Sequence, residues 1–347
     1  MTRNMEATIS LNRIIRPGPR LRNHRWATIL AGGDGSRLRA LTRSVSGDDR
    51  PKQFCPFLWG QTPLELTTAR VARVLSPDRT LYVLSRRHES HYSQQLVGVP
   101  SSRQVVQDVD RGTLPAIMSS LACIVSQDPD AVVAFLPSDH FYQNEAKFLD
   151  GLNRAFEAAE TSPDSVILLG TTARLPEPSF GYIEPVAAFR PVREGHLRSV
   201  RRFWEKPEPQ LTQQLVDRGC LWNTFVMVAR AQSFLKMIKA AVPATYSAFR
   251  PLFSAGSPHQ TLLEQIYRHI RPSDFSKRVL SSGRNLTLAS PLAVLNLGDI
   301  GWTDLGEPER VQTLLRGSAS AEELSIPGAL PYPYDVGNFC PIVQHLQ

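Results

Sequence analysis

Short stretches of this chain carry residue types suited to phosphate and metal chemistry. Ala31-Gly-Gly-Asp-Gly-Ser-Arg-Leu-Arg-Ala-Leu-Thr42 places Gly32, Gly33 and Gly35 within four positions. Without Cβ atoms, such a loop can close its backbone N–H groups on a phosphate. Arg37 adds a planar fork for phosphate oxygens. The order departs from the GxGxxG of dinucleotide folds and lacks the lysine that a Walker loop places after its last glycine. A tight strand-to-helix turn would have the same composition, so the loop alone does not decide. Arg50-Pro-Lys-Gln-Phe54 follows and brings a second cation, Lys52, toward the same phosphates.

Ala131-Val-Val-Ala-Phe-Leu-Pro-Ser-Asp-His140 reads as an apolar strand ending in an acid. Parallel α/β sheets present their chemistry at that carboxyl edge. Asp139 is therefore placed to reach a ligand, and a hard carboxylate suits Mg²⁺, which takes only one or two protein carboxylates beside phosphate oxygens. His140 is read as structural. Gln107-Asp-Val-Asp-Arg-Gly-Thr-Leu-Pro-Ala-Ile117 leads from another strand into an amphipathic helix, so its polar groups face the same edge, where a purine could be read.

The elements that must position these residues alternate. Strand-like runs cover 26–30, 80–85, 104–107, 131–136 and 166–170, with helical stretches between them. The clearest helix begins near Pro115, with Ile117, Leu121, Ile124 and Val125 on one face and Thr113 as its expected cap; another covers 148–160. This is the signature of an α/β, Rossmann-like, mostly parallel sheet flanked by helices. Beyond Thr171 the pattern is mixed, with strands expected at 181–186, 200–205 and 222–229 and helices near 211–218, 233–241 and 261–270. We read it as a mixed α/β lobe covering the open end of the sheet. The expected organisation is a basic, flexible leader over 1–25, a domain over 26–316 divided into halves 26–170 and 171–316, and an irregular tail over 317–347.

Composition bounds the function classes. The 347 residues carry 39 Lys and Arg against 32 Asp and Glu, a formal charge of +7. Such a surplus suits nucleic acid, anionic lipid or phosphorylated small molecules, and composition does not choose among them. Without interleaved aromatics or a recognisable module, nucleic acid is set aside. The cysteines, Cys55, Cys123, Cys220 and Cys340, are too scattered for a metal clip or a disulfide framework, so a reduced, cytoplasmic protein is expected. Apolar runs fall far short of the roughly 20 residues a bilayer requires.

Taken together, these motifs resemble the sugar-1-phosphate nucleotidyltransferases, whose signature is a GGxGxRLxxLT loop with a downstream PK pair. The form PKQF looks like the mannose-1-phosphate guanylyltransferase branch. The resemblance runs in family order from Ala31 to Gly306 and implies a nucleotide-diphospho-sugar transferase fold of GT-A-like type. It assigns triphosphate binding to Ala31, Gly32, Gly33, Gly35, Arg37 and Lys52. Arg111, Gly112 and Thr113 stand in an RGT segment similar to the branch's QPxNRGTAPAI, which favours GTP, although Asp108, Asp110 and Leu114 depart from it. Pro137-Ser-Asp-His140 resembles the metal-binding PADH. Gly301-Trp-Thr-Asp-Leu-Gly306 resembles WSDVG, whose aspartate, here Asp304, completes the metal site.

On the sugar side, Phe180-Gly-Tyr-Ile-Glu184 is similar to YGYIE, which implies roles for Gly181 and Glu184. Trp204-Glu-Lys-Pro207 is similar to FxEKP, whose lysine, here Lys206, neutralises the sugar phosphate. Leu221-Trp-Asn-Thr-Phe225 is similar to WNSG and implies Asn223 as a sugar contact. The reaction so implied is in-line attack of mannose 1-phosphate on the α-phosphorus of GTP, with Arg37, Lys52 and Lys206 as the catalytic cations. Mg²⁺ is the expected cofactor, Mn²⁺ or another divalent ion being the alternative. GTP and mannose 1-phosphate are the expected partners, neither nucleic acid nor membrane is expected, and a homodimer is compatible with the reading. A different base or sugar, or a non-catalytic regulatory subunit of the same fold, are the competing readings.

Overall fold

The computed structural model describes residues 24–186, 195–254, 260–282 and 291–321. Among these residues the strands are β1 Arg25–Leu30, β2 Thr80–Ser85, β3 Gln104–Gln107, β4 Val132–Pro137, β5 His140–Tyr142, β6 Val166–Thr172, β7 Gly181–Pro185, β8 Leu197–Glu205, β9 Leu221–Arg230, β10 Leu292–Asn296 and β11 Trp302–Asp304. The helices are α1 Arg39–Ser46, α2 Pro63–Ala72, α3 Glu89–Gln95, α4 Thr113–Gln127, α5 Glu145–Thr161, α6 Pro209–Asp217, α7 Ala231–Ala241, α8 Pro243–Ser254, α9 Gln260–His269, α10 Phe275–Arg278 and α11 Pro308–Ala321.

Continuous apolar runs make strands that are buried on both faces. Along β4, Val133 and Phe135 join one core with Trp26, Ile117 and Phe234, whereas Val132, Ala134 and Leu136 join the other with Ile29, Tyr82 and Phe156. This period of two puts helices on both sides of one sheet. The strand order is β3-β2-β1-β4-β9-β6-β10-β8-β7, with β5 and β11 forming a separate pair. Neighbours β3, β2, β1 and β4 run parallel, as do β6 and β10, while β8 and β9 run against their partners. Because the chain goes to β2 on one side of β1 and later to β4 on the other, the carboxyl ends of β1 and β4 flank a crevice at a topological switch point. A smaller apolar cluster of Leu38, Leu41, Phe57, Leu305 and Val311 seats the end of the chain's described part on the loop after β1.

Several expectations are corrected. The second half of the chain does not cover the sheet's open end but enters the sheet: β9 lies between β4 and β6 and hydrogen-bonds to both. Arg25 does not belong to a flexible leader. It is 5% exposed, opens β1, and its Nε and Nη2 donate to the Glu160 carboxylate at 2.6 and 2.9 Å; residues 1–23 lie outside the described part. Thr113 does not cap α4, whose cap is Gly112; its Oγ1 instead accepts from the Phe275 N–H at 2.8 Å, because α10 packs across that helix start. Helix α11 runs through the boundary expected at 316, so residues 317–321 are helical, and the rest of the tail lies outside the described residues.

Candidate active site

A cleft of about 360 Å³ opens at the carboxyl ends of β1, β3 and β4. Its floor is the loop after β1. Gly35 stands at φ 58°, in left-handed backbone that L side chains avoid, and a Cβ there would meet Lys52 at 3.1 Å. Gln53, 3% exposed, donates through Nε2 to the carbonyls of Ala31 and Gly33 at 2.9 and 2.7 Å. Asp34 is held from outside by Arg87 and His88 at 2.9 and 3.1 Å. The loop is thus braced from two directions before any ligand arrives.

Lys52 lies where the carboxylates converge. Its Nζ is 2.5 Å from Asp139 Oδ2 and donates to the Leu305 carbonyl at 2.7 Å. Asp304 stands opposite His140 in the β5–β11 pair, so the two acids come to one edge from positions 139 and 304. Arg310 of α11 pairs with Asp304, contacts Ser179, and lies 4.3 Å from the centre of the Phe180 ring. Burial pushes the Asp139 carboxyl up, but Lys52 and His140 outweigh it and hold the group below its ordinary range. Burial drives His140 down, toward the neutral imidazole; its Nδ1 accepts from Trp302 Nε1 at 3.2 Å, which agrees with a structural role.

The opposite wall comes from β7, β8 and β9. Gly181, Glu205, Lys206, Asn223 and Phe225 line it. Lys206 and Phe225 are non-glycine residues at positive φ, 45° and 57°. Each such position costs roughly 1–2 kcal/mol, a strain that concentrates at functional sites. Glu205 was overlooked in the sequence although it adjoins Lys206. Its carboxyl is pushed up to about 7, mainly by burial and then by Asp274, with Lys206 and Lys277 pulling the other way.

Of the expected site residues, Gly32, Gly33, Gly35, Lys52, Gly112, Thr113, Asp139, Gly181, Lys206, Asn223 and Asp304 line this one cleft. Ala31 is buried beneath it. Arg37 lies outside and pairs with Glu307. Arg111 turns away and donates through Nε to the Tyr267 carbonyl at 2.9 Å. Glu184 faces the other side of the sheet, where its Oε2 accepts from Trp204 Nε1 at 3.0 Å. Gln107 and Asp110 also line the cleft. The polar run at 107–113 signalled their neighbourhood, but no local pattern singled them out.

A carboxylate pair beside a lysine is an oxygen donor set suited to a hard divalent cation that takes its other oxygens from phosphates and water. Among the described residues no group of three or more His, Cys, Asp or Glu gathers into a protein-only cage. No helix among them is long and apolar enough to cross a membrane.

Fold and site together define a class of α/β proteins that gather glycine-loop, lysine and carboxylate groups in a cleft at the carboxyl edge of a sheet. Residues 26–319 match the nucleotidyl transferase family, and the chain belongs to it. The xanthan biosynthesis protein XanB of Xanthomonas campestris pv. campestris (strain B100) is 28% identical over 283 residues, which are 80% of this chain and 56% of that protein. A mannose-1-phosphate guanylyltransferase of Salmonella montevideo is 28% identical over 225 residues, 63% of this chain and 46% of that one. The chain therefore spans about half the length of the curated relatives it matches. A crystal structure from Thermus thermophilus, described as a mannose-1-phosphate geranyltransferase, shares 27% identity at a TM-score of 0.70, covering 84% of this chain and 79% of its own.

Proposed function

We propose that this chain transfers a guanylyl group from GTP to mannose 1-phosphate, releasing pyrophosphate. The observation that carries the reading is the single cleft in which a braced glycine loop, Lys52, Asp139 and Asp304 face Lys206 and Asn223 across the carboxyl ends of the strands. The name of the relative from Salmonella montevideo favours this base and sugar. A phosphate oxygen of the sugar attacks the α-phosphorus, the bond to the oxygen bridging toward the β-phosphate breaks, and pyrophosphate leaves with the electron pair. The attacking oxygen is already ionised, so no general base is needed. The work falls to positioning and charge neutralisation.

In this reading the loop's N–H groups hold the triphosphate while Lys52 offsets its charge. Lys206 binds the sugar phosphate, and Asn223 contacts the sugar. Asp139 and Asp304 would hold a divalent cation, Mg²⁺ or Mn²⁺, which supplies Lewis-acid charge stabilisation at the phosphates. Lys52 and Arg310, which balance these acids in the free protein, would then turn toward phosphate oxygens.

Pyrophosphate release by the purified protein tests this, with GTP, mannose 1-phosphate and Mg²⁺ beside the other triphosphates and sugar 1-phosphates. GTP-selective release is expected, reduced at least about 100-fold in Asp139→Ala. Activity with another triphosphate would keep the reaction class and overturn the base. Silence across the panel would favour a regulatory subunit of the same fold.

A further inference from the structure

Outside the residues that the motifs pick out, a buried polar chain runs from the core to the cleft wall. Gln107 ends β3, is 4% exposed and lines the cleft. Its Oε1 accepts from the Tyr267 hydroxyl at 3.0 Å, 160 positions away in α9. That hydroxyl lies 3.1 Å from Ser119 Oγ of α4, whose one proton is shared between the phenol oxygen and the Pro115 carbonyl at 2.8 Å. Tyr267 itself is 1% exposed, and its ring meets Phe249 edge-on at 6.3 Å between centres. The phenol is therefore fixed by packing and by hydrogen bonds, and it fixes one end of the Gln107 amide.

With its oxygen engaged, the amide has its nitrogen left for a ligand. Gln107 Nε2 is the atom that a Cβ on residue 32 would meet, at 2.7 Å, so the amide lies directly against the glycine loop. Gly32, Gln107, Asp110 and Gly112 all line the cleft, and the nucleotide reading above sets the purine along this 107–113 segment. If the phosphates occupy the loop and the acids, the base falls at this end. An amide N–H₂ aimed there donates to a keto oxygen and meets an amino group donor against donor. Guanine and adenine differ in this way at their six-position.

We propose that Tyr267 is a positioning residue that makes the cleft select a keto purine, by holding the Gln107 amide with its nitrogen toward the base. This rests on the nucleotide-binding reading above and deepens it. Ser119 shares the task by steadying the phenol. Neither Tyr267 nor Ser119 touches the nucleotide.

The test is calorimetric binding of GTP, ITP and ATP to the full chain, with pyrophosphate release as a second readout. ITP keeps the keto oxygen but lacks the two-amino group, so it isolates the contact in question. The wild-type protein is expected to bind GTP and ITP and to reject ATP. In Tyr267→Phe the amide is free to rotate, and the preference for ITP over ATP is expected to fall about tenfold. A merely structural role would weaken all three nucleotides alike and leave the ratio unchanged. That result, or a wild-type preference for ATP over ITP, would overturn the inference. Gln107→Leu, which removes the amide and leaves the tyrosine in the sequence, is expected to lose the same discrimination; a retained ratio in that variant would also overturn it. Wild-type protein that binds no nucleotide at all would sink the proposed function and this inference together, whereas nucleotide binding with an unchanged ratio in both variants sinks this inference alone.

Discussion

Glu205 stands one residue before Lys206 on the cleft wall, with its carboxyl pushed from an ordinary 4.5 up to about 7. Burial is the chief cause, Asp274 adds repulsion, and Lys206 with Lys277 only partly offsets them. The folded state then holds a proton between those two values that the unfolded chain has released. The stabilisation is complete below about 4.5 and is lost as pH rises through about 7, by an amount on the order of 3 kcal/mol. Urea unfolding of the ligand-free protein at pH 5 and pH 8 checks the sign. The stability advantage of wild type over Glu205→Gln should shrink toward pH 8; an advantage that grows would mean that the carboxyl is ionised throughout. Lys206 and Phe225, which line the same cleft wall, are held at positive φ.

Helix α11 bears on the site through one side chain. Arg310 joins Asp304, Glu177, Ser179 and the Phe180 ring, so it competes with any cation that Asp304 would hold. Arg310→Gln should therefore bind Mn²⁺ more tightly in the absence of nucleotide, by about tenfold, or about 1.4 kcal/mol. Calorimetry or spin resonance of free Mn²⁺ reads this directly, and weaker binding would mean that Arg310 orients Asp304 rather than blocks it. Such a contact, six positions along the chain, hides among ordinary surface charges in the sequence. Local signals fared better. β2 and β3 were legible to the residue because β-branched and apolar runs announced them, and the glycine loop, Lys52 and Asp139 stood out as compact motifs. The three-residue strands β5 and β11 carry no period to read, yet they bring Asp304 to His140. Likewise, the link between Gln107 and Tyr267 depends on how α9 packs against α4, a relation that no local pattern encodes. Arg37 shows the converse: its motif was plain, but the folded chain pairs it with Glu307 beyond the cleft.

At the scale of the molecule, the insertion of β9 decides whether the two sequence halves are separable. β4 and β6 each take β9 as a neighbour, and Met227, Val228 and Ala229 supply side chains to both cores. Removing everything after Gly170 would leave Val132–Pro137 unpaired on one side and Val166–Gly170 unpaired on both, and such apolar edges pair with other chains instead of dissolving. The site would go with them, since Asp304, Lys206 and Asn223 all lie beyond that cut. A fragment of residues 24–170 is therefore expected to aggregate or to lack fixed tertiary packing, by near-ultraviolet dichroism and analytical ultracentrifugation. The complete chain should instead unfold in urea with coincident fluorescence and dichroism transitions, because one sheet couples the wall bearing Lys52 and Asp139 to the wall bearing Lys206 and Asn223. A fragment that stayed monomeric with native-like aromatic dichroism would show that β3-β2-β1-β4 is stable by itself, and the cleft would then be a junction between two folding units rather than the centre of one.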